Sequence, residues 1–560
     1  MRKRLGTFCL FASTFLFAAL AHADGDARAV NNVRGQPNPK EIFFHEDTPP
    51  VPGKMTEAAA QAKRLFDAEH WSEAAMLFKP VVDGETKDDD GNKQIAQYHL
   101  AIALYRLQFY QASYAIFSDI AGKPNHLKFN ETLLWLSKLA TQLPEPADVI
   151  ERVGKYTSEQ VARFNNPEQR ELYWQLNYLL GRYKYRNRDF EKAIDLFKKV
   201  DKESKYHVQA QFFMGISHVQ RRRAVPAVTA FQSVVQAIDD GAPGVENETR
   251  MRDLAYLSMA RTYYSASLRP DGAIAYSNGA STMSAALKYW NRVHVASEYW
   301  LDALFEESWA YFMAGDYPHA LGNIHALESP YFPNAFYPEA DVLKAVIAFT
   351  VCRYDDAVTI VARMRKKYEP IKTEFESILT RLSGEGSEHK YYAFLQDVRA
   401  GKANLSPAVK LIVENTFSDR QLLRNLEYVR VLDDEDARFA KAPTAFRSSA
   451  LGSDITDSIQ LAREIAIRNA GMLARERYQR YLDELDEHMR NGTKIIVDVT
   501  TEQRRMLEEE IGAGGHLKRD ELAFGMVKAD DEHILWPFDG EYWRDELGYY
   551  RQVVHSRCGR

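Results

Sequence analysis

Residues 178–200 read YLLGRYKYRNRDFEKAIDLFKKV. A small residue, Gly181, is followed twelve positions on by Ala193 and four further by the bulky Phe197. The next 34 residues repeat the arrangement with Gly215, Ala227 and Phe231. Numbering the small residue as position eight of a unit puts the second small residue at twenty and the bulky one at twenty-four. Ala62, Ala74 and Phe78 fit, as do Ala101, Ser113 and Phe117, then Ser308, Ala320 and Ile324, then Ala345, Ala357 and Val361. A seventh unit starts at Ala260 and reaches Ala286 and Trp290 only after an insertion of fourteen residues, and a degenerate eighth lies between Leu133 and Val153. A period of this length is the mark of a repeat architecture.

The physical reading is that two short helices cross closely where positions eight and twenty carry small side chains. The residue at twenty-four is expected to fill the space toward the next pair. Between the helices NRDF, AGDY and AEHW each place a polar or glycine residue before an aromatic, as a turn requires. The pattern G/A-x-x-Y followed by Y/F-x-x-A-x-x-x-F over 34 residues resembles the tetratricopeptide repeat (TPR). The resemblance covers roughly residues 56–370. It departs from the family in lacking most of the tryptophans at position four and the prolines at thirty-two. It implies helix pairs stacked in a right-handed superhelix that binds proteins.

In that family positions five, nine and twelve of each first helix, which share one stripe, line the concave surface. Here the stripe holds Tyr98 and Tyr105; Tyr178, Arg182 and Tyr185; Phe212; Arg261 and Tyr264; Phe305, Trp309 and Phe312; and Phe349. Rigid aromatics beside arginine are what peptide-binding hot spots favour. The same rings also suit burial between adjacent helices, and both readings stand. Tyr178, Arg182, Tyr185 and Arg261 are the better ligand candidates because polar tips suit a partly wet groove. Tyr98, Tyr105, Tyr264 and Trp309 complete the candidate partner-binding set, whereas Phe305 and Phe312 are assigned to the core.

Beyond residue 400 the unit disappears. RQLLRNLEYVRVLDDEDARFAK is expected as a helix with a stripe at Leu422, Leu423, Leu426 and Val429. A second helix from about Thr456 carries Ile455, Ile459, Ala462, Ala466, Leu473, Tyr478, Leu482, Leu485 and Met489, and the two are expected to pair as a hairpin. NGTKIIVDV then opens with a turn dipeptide and continues as a short β-like run. TTEQRRMLEEEIGAGG follows as a new helix, with Thr500 and Gln503 as a capping box. The tail LWPFDGEYWRDELGYYRQ crowds Trp536, Phe538, Tyr542, Trp543, Tyr549 and Tyr550 among acidic residues. It reads as a terminal cap, which repeat arrays need, or as a docking surface for a partner or glycan. The tail also resembles exported repeat proteins of gliding or predatory bacteria.

The chain of 560 residues is 45% hydrophobic and 27% charged, a globular composition. Its net charge of −6 argues against a general nucleic-acid binder. MRKR, an apolar run and Ala21-His22-Ala23 form an export signal cleaved after Ala23. Cleavage removes three basic residues and no acid, and no later stretch is apolar enough to span a bilayer. Cys352 and Cys558 remain after cleavage. A disulfide is permitted in an oxidising compartment, but two cysteines in this length do not make a framework, and free thiols are the expectation.

Searching for chemistry finds little of it. HExxH, paired CxxC, GxSxG and GxxxxGK[ST] do not occur. DDDGN at residues 88–92 begins like a calcium loop, but its twelfth position is His99, so it reads as an exposed acidic turn. His555 and Cys558 have a metal-ligand spacing, yet two ligands do not make a site. Glu307-Ser308 begins like the signature of exported lytic transglycosylases, but no GLMQ-like run follows and Ser308 is position eight of a unit.

The expectation is therefore an all-α, TPR-like helical solenoid of about eight helix pairs, followed by a helical hairpin and a small aromatic-rich C-terminal cap. The divisions are a signal peptide (1–23), a flexible linker (24–55), the superhelix (56–400), the hairpin (401–490) and the cap module (491–560). The expected role is a periplasmic scaffold, not an enzyme and without cofactor or metal, whose concave groove binds protein or peptide partners of the cell envelope. The alternatives are cell-wall glycan binding and a lytic-transglycosylase-like activity.

Overall fold

A methyl group placed on Gly181 would lie 2.6 Å from Cε1 of Phe197, and one on Gly215 would lie 2.5 Å from Cε1 of Phe231. Both distances are closer than carbon atoms approach. The small residue at eight is therefore what lets the ring at twenty-four lie against its partner helix. The ring also reaches the next pair, as expected: Phe78 stacks on His99 at 5.7 Å, Phe117 on Trp135 at 5.9 Å and Phe197 on Phe213 at 5.9 Å. Where position twenty is serine the contact is also polar: Ser113 Oγ donates to the Ala101 carbonyl at 2.8 Å.

The computed structural model describes residues 49–269, 274, 279–333, 335–512, 522–524, 531, 533–535 and 537–558. The export signal, most of the linker, parts of the insertion and of the glycine run near residue 514, and Trp536 lie outside them. Eight helix pairs stack in chain order. The first three are α1 (Glu57–Asp67) with α2 (Trp71–Val82), α3 (Asp90–Arg106) with α4 (Tyr110–Ala121), and the degenerate α5 (Phe129–Gln142) with α6 (Val149–Val153). The short α7 (Ser158–Ala162) precedes α8 (Arg170–Arg186) with α9 (Phe190–Phe197) and α10 (His207–Gln220) with α11 (Ala224–Asp239). Then come α12 (Glu248–Ser267) with α13 (Gly279–Trp290), α14 (Trp300–Ala314) with α15 (Tyr317–Leu327), and α16 (Pro338–Thr350) with the long α17 (Tyr354–Leu382). The architecture is an all-α, TPR-like helical repeat array.

The turn inside six of the eight pairs has a feature hidden from sequence reading. Glu69, Gln108, Arg188, Arg222 and Cys352 have φ between 55° and 64°, and Gly315 has 81°. All six stand at position fifteen. The amide that follows each bonds back five residues, as in Asp189 N to the Lys184 carbonyl and Asp316 N to the Tyr311 carbonyl, both at 2.9 Å. This is the Schellman ending of a helix, whose left-handed residue is most easily glycine. One unit uses glycine, and five hold an L-residue in a conformation that costs it roughly 1–2 kcal/mol.

After the array come α18 (Ser387–Arg399), α19 (Pro407–Asn415), α20 (Arg420–Ala440), the single turn α21 (Thr444–Arg447) and α22 (Ala450–Gly512). The pairing of α20 with α22 is as expected, but the hairpin is laid back on its own array. Helix α22 has 63 residues, about 95 Å at 1.5 Å per residue. Its start meets α2, where Lys79 pairs with Asp454 at 2.7 Å. Its middle packs Tyr478 against Phe375 and Tyr391, and its later part meets α17, where Lys372 pairs with Asp486 at 2.6 Å. The buried core divides into two clusters along the array, and α22 belongs to both: Ile455 to Ile467 join the first, Ala470 to Val499 the second.

Four local expectations are overturned here. NGTKIIVDV is helix, not strand, and no new helix is capped at Thr500, whose hydroxyl donates to the Ile496 carbonyl within α22. Gly492, Ile495 and Val499 form one buried helical stripe, with Gly492 facing Val361, so packing outweighs the β preference of the isoleucines and valines. DDDGN is no exposed turn: Asp88 is buried and accepts from Thr56 N, Thr56 Oγ1 and Thr86 Oγ1, while Asp89 caps α3 through Asn92 N. The cysteines are not free thiols, since Cys352 and Cys558, 206 residues apart, form a disulfide. A separation of that length is invisible to spacing arguments.

If position fifteen is held left-handed by its pair, Arg188→Gly and Arg222→Gly each raise stability by about 0.5–1 kcal/mol, and Gly315→Ala lowers it by about 1 kcal/mol. Urea midpoints of the three variants against the parent measure this.

Candidate partner-binding surface

The stripe residues are brought together in four clusters along the array. In the first, Tyr98 accepts from Trp135 Nε1 at 3.0 Å. Tyr105 meets Tyr110 and Trp135 edge-on, each at 5.2 Å. Burial pushes the Tyr98 phenol up to about 12. Both tyrosines keep part of their surface in solvent.

The second cluster is closed. Tyr178, Arg182 and Tyr185 are 8%, 9% and 6% exposed. Tyr178 stacks on Tyr206 at 5.2 Å, Tyr185 meets Phe213 edge-on at 5.5 Å, and the Arg182 guanidinium lies over Phe213 at 4.7 Å. Arg182, Arg186 and Arg424 all pair with Glu145. Burial works against ionisation of Glu145, but Arg182, Arg424 and Arg186 outweigh it and hold the carboxyl down at about 2. Arg424 belongs to α20, so the hairpin reaches the stripe at this point.

In the third cluster Arg261 and Glu306 form a buried ion pair with Nη2 to Oε1 at 2.6 Å. Trp290 Nε1 donates to the same carboxylate at 3.2 Å, and Tyr264, fully buried, packs on Trp290 at 5.6 Å. The fourth holds Trp309, half-buried and edge-on to Phe312 at 5.7 Å. Phe312 is buried, as expected, while Phe305 is only partly so. Trp309 bonds to Glu339, whose carboxyl burial, with Glu487 and Glu484 nearby, pushes up to about 8.

Sequence reasoning missed Glu145, Phe213 and Glu306, which complete these clusters, and placed Trp290 only as position twenty-four of a unit. It also missed the hairpin contact at the second pair. Helix α4 has no side-chain cap of its own, and both Glu435 oxygens of α20 accept from Gln111 N at 3.1 Å. Tyr428 donates to Gln111 Oε1 at 2.6 Å, and Arg438 donates to the Gln108 carbonyl at 2.7 Å. Burial pushes Glu435 up to about 7 against the pull of those amides. In the sequence Glu435 is only one acid of the run DDED, and its burial appears only in the structure.

Glu307, the carboxylate of the transglycosylase-like dipeptide, is 4% exposed. The side-chain amides of Asn291 and Asn323 each donate to it at 3.0 Å, and burial pushes it up to about 7. Cys558, noted for its spacing from His555, is half of the disulfide. Among the described residues no group of three His, Cys, Asp or Glu side chains is placed to hold a metal ion, and no helix is long and apolar enough to cross a membrane.

No protein-family model and no curated protein matches the chain. Among solved structures it aligns with a Rap protein complexed with Competence and Sporulation Factor, at 12% identity over 74% of this chain and 98% of that one, with a TM-score of 0.24. It also aligns with the apo form of RapI, at 10% identity over 73% and 97% of the two chains, with a TM-score of 0.30. Likenesses at this level say nothing of what this chain binds.

Two outcomes follow from the buried charges. Glu307, Glu339 and Glu435 keep their protons to higher pH in the folded chain than in the unfolded one. Their stabilisation is complete below the ordinary carboxyl range and is lost as pH rises through about 7 to 8, whereas that of Glu145 is lost as pH falls toward about 2. Burial holds His126 and His488 down at about 4, so their contribution changes only at lower pH, and between about pH 6.5 and 8 the urea midpoint should fall, with Glu435→Gln reducing the slope. Arg261→Met leaves Glu306 buried and unpaired and should destabilise by about 3–5 kcal/mol, while Arg261→Met with Glu306→Leu recovers most of it; a double-mutant cycle in urea measures both.

Proposed function

We propose that the protein is an exported scaffold that holds a protein or peptide partner in the cell envelope through non-covalent contacts with its TPR-like array. The observation that carries this reading is the pre-set state of the stripe. Tyr105 and Trp309 offer part-exposed aromatic surface on rings already fixed by Tyr110, Trp135 and Phe312. A partner docking there has little side-chain ordering to drive, which is where much of the free energy of association is otherwise lost. In this reading Tyr98, Tyr105 and Trp309 touch the partner. Tyr178, Arg182, Tyr185, Arg261 and Tyr264 stand behind them and keep the array's curvature.

Export is supported by the basic, apolar and small-residue succession of the first 23 residues and by the intramolecular disulfide, which persists in oxidising compartments. A catalytic reading has less to stand on, because Glu307 is enclosed by two asparagine amides.

The test places a photo-crosslinking amino acid at position 105 or 309 in the native envelope, with position 117, fully buried, as control. Discrete adducts from 105 and 309 and none from 117 are expected. Equal labelling at all three, or none at 105 and 309, would remove the stripe as the binding surface.

A further inference from the structure

Position twenty-two of the repeat unit faces outward. It holds Ala115, Asp195, Thr229, Lys288 and Thr359, all exposed, and the part-exposed Met76. In the pair of α14 with α15 the same position is Gly322, and it is buried. What covers it is a strap of the chain's own backbone, residues 537–558. A methyl group on Gly322 would overlap the Tyr550 carbonyl oxygen and lie 3.0 Å from Arg551 N. Glycine inside a helix is destabilising relative to alanine, so its place here answers to the backbone laid across it.

Around Gly322 the array holds the strap as a folded surface holds an extended peptide. Gln552 N donates to the Pro318 carbonyl at 3.0 Å, and Arg557 N donates to the Val351 carbonyl at 2.9 Å. Leu547, Tyr550 and Val554 are buried in the second core cluster. Main-chain hydrogen bonds with side chains seated at intervals are the usual terms of such recognition. The pair itself closes elsewhere, through Ser308, Ala320 and Ile324, all fully buried.

The Cys352–Cys558 disulfide ties the strap to the left-handed turn of the last pair. Both cysteines keep part of their surface in solvent. Disulfides open to solvent are the ones that exchange with other thiols, whereas resistant ones serve as fixed staples. Without the tie the strap is held by a short contact, where a lasting interface engages roughly 20–30 residues a side.

We propose that the outer face of α15 is a peptide seat that the strap occupies in cis, and that reduction of Cys352–Cys558 by a dithiol opens it. The seat then takes an extended partner segment with apolar side chains spaced like Leu547, Tyr550 and Val554. In the exchange a thiolate of the dithiol attacks one cystine sulfur, the S–S bond breaks, and the other cysteine leaves as a thiolate and takes up a proton. The second thiol of the reductant, losing its proton, displaces the first cysteine from the mixed disulfide. The chain gains two thiols and the reductant becomes a disulfide. The seat uses none of the stripe residues, so the proposal stands whether or not the stripe binds.

The first experiment is limited trypsin digestion of the full mature chain. Cleavage after Arg551, whose following amide is held by the Pro318 carbonyl, should run about tenfold faster once the strap opens. That rate is expected with dithiothreitol and in Cys352→Ser with Cys558→Ser, with helix content by circular dichroism unchanged. Equal cleavage in the oxidised and reduced chains would overturn the release. So would a loss of helix content, which would make the bond a staple of the array. The second experiment reads the anisotropy of a fluorescent peptide of residues 540–557. It should bind the cysteine variant that also carries Leu547→Ser, Tyr550→Ser and Val554→Ser, and not the oxidised parent chain. Gly322→Leu, a change that favours the helix, should abolish the binding. No binding, or binding indifferent to Gly322→Leu, would overturn the seat. A dimer formed on reduction and lost with Gly322→Leu would overturn the separate partner, because a second copy's strap would be the occupant.

Discussion

Seven of the eight helix pairs close through one constraint: at position eight nothing larger than a methyl or hydroxymethyl group separates the backbone from the residue at twenty-four. At Gly181 and Gly215 even a methyl group would collide with the facing ring. Overpacking of this kind typically costs 1–3 kcal/mol. Here it would also change how the pair presents itself to the next, because each unit of a repeat array is oriented by its neighbours. The left-handed residue at fifteen is the companion constraint. It turns the chain within two residues so that the small positions arrive opposite one another, and five units accept an unfavourable backbone conformation to do so.

An array held only by neighbour contacts is compliant over its length. This one is braced by contacts far apart in sequence. Helix α22 shares in both buried clusters, Glu435 supplies the helix cap that α4 lacks, and Arg424 completes the charge cluster around Glu145. The disulfide does the same at the other end, tying residue 558 to the turn at 352. The hairpin and tail thus belong to the array's own packing. Among the described residues of the stripe, Tyr98, Tyr105 and Trp309 keep part of their ring surface in solvent.

How far the molecule was legible follows from how local each cause is. The repeat could be read because its small and bulky positions fall within seventeen residues of one another. The pairing of α20 with α22 could be read from their apolar stripes. The turn at position fifteen could not, because Glu, Gln, Arg, Gly and Cys share one backbone conformation there with no common side-chain chemistry. For the candidate site the residue types were recognised, but whether a stripe ring faces solvent or its neighbour depends on the curvature between units. That is why Tyr105 and Trp309 keep exposed surface while Tyr178, Tyr185 and Tyr264 do not.

By itself the sequence determined the helical unit, its length and its number, since these rest on sterics between residues a few turns apart. Only the tertiary structure decided that Ile495 and Val499 belong to a helix, that Asp88 is buried, that the hairpin lies along its own array, and that Cys352 meets Cys558. Each of those outcomes depends on a surface assembled from segments distant in the chain, and such a surface exists only once the array has stacked.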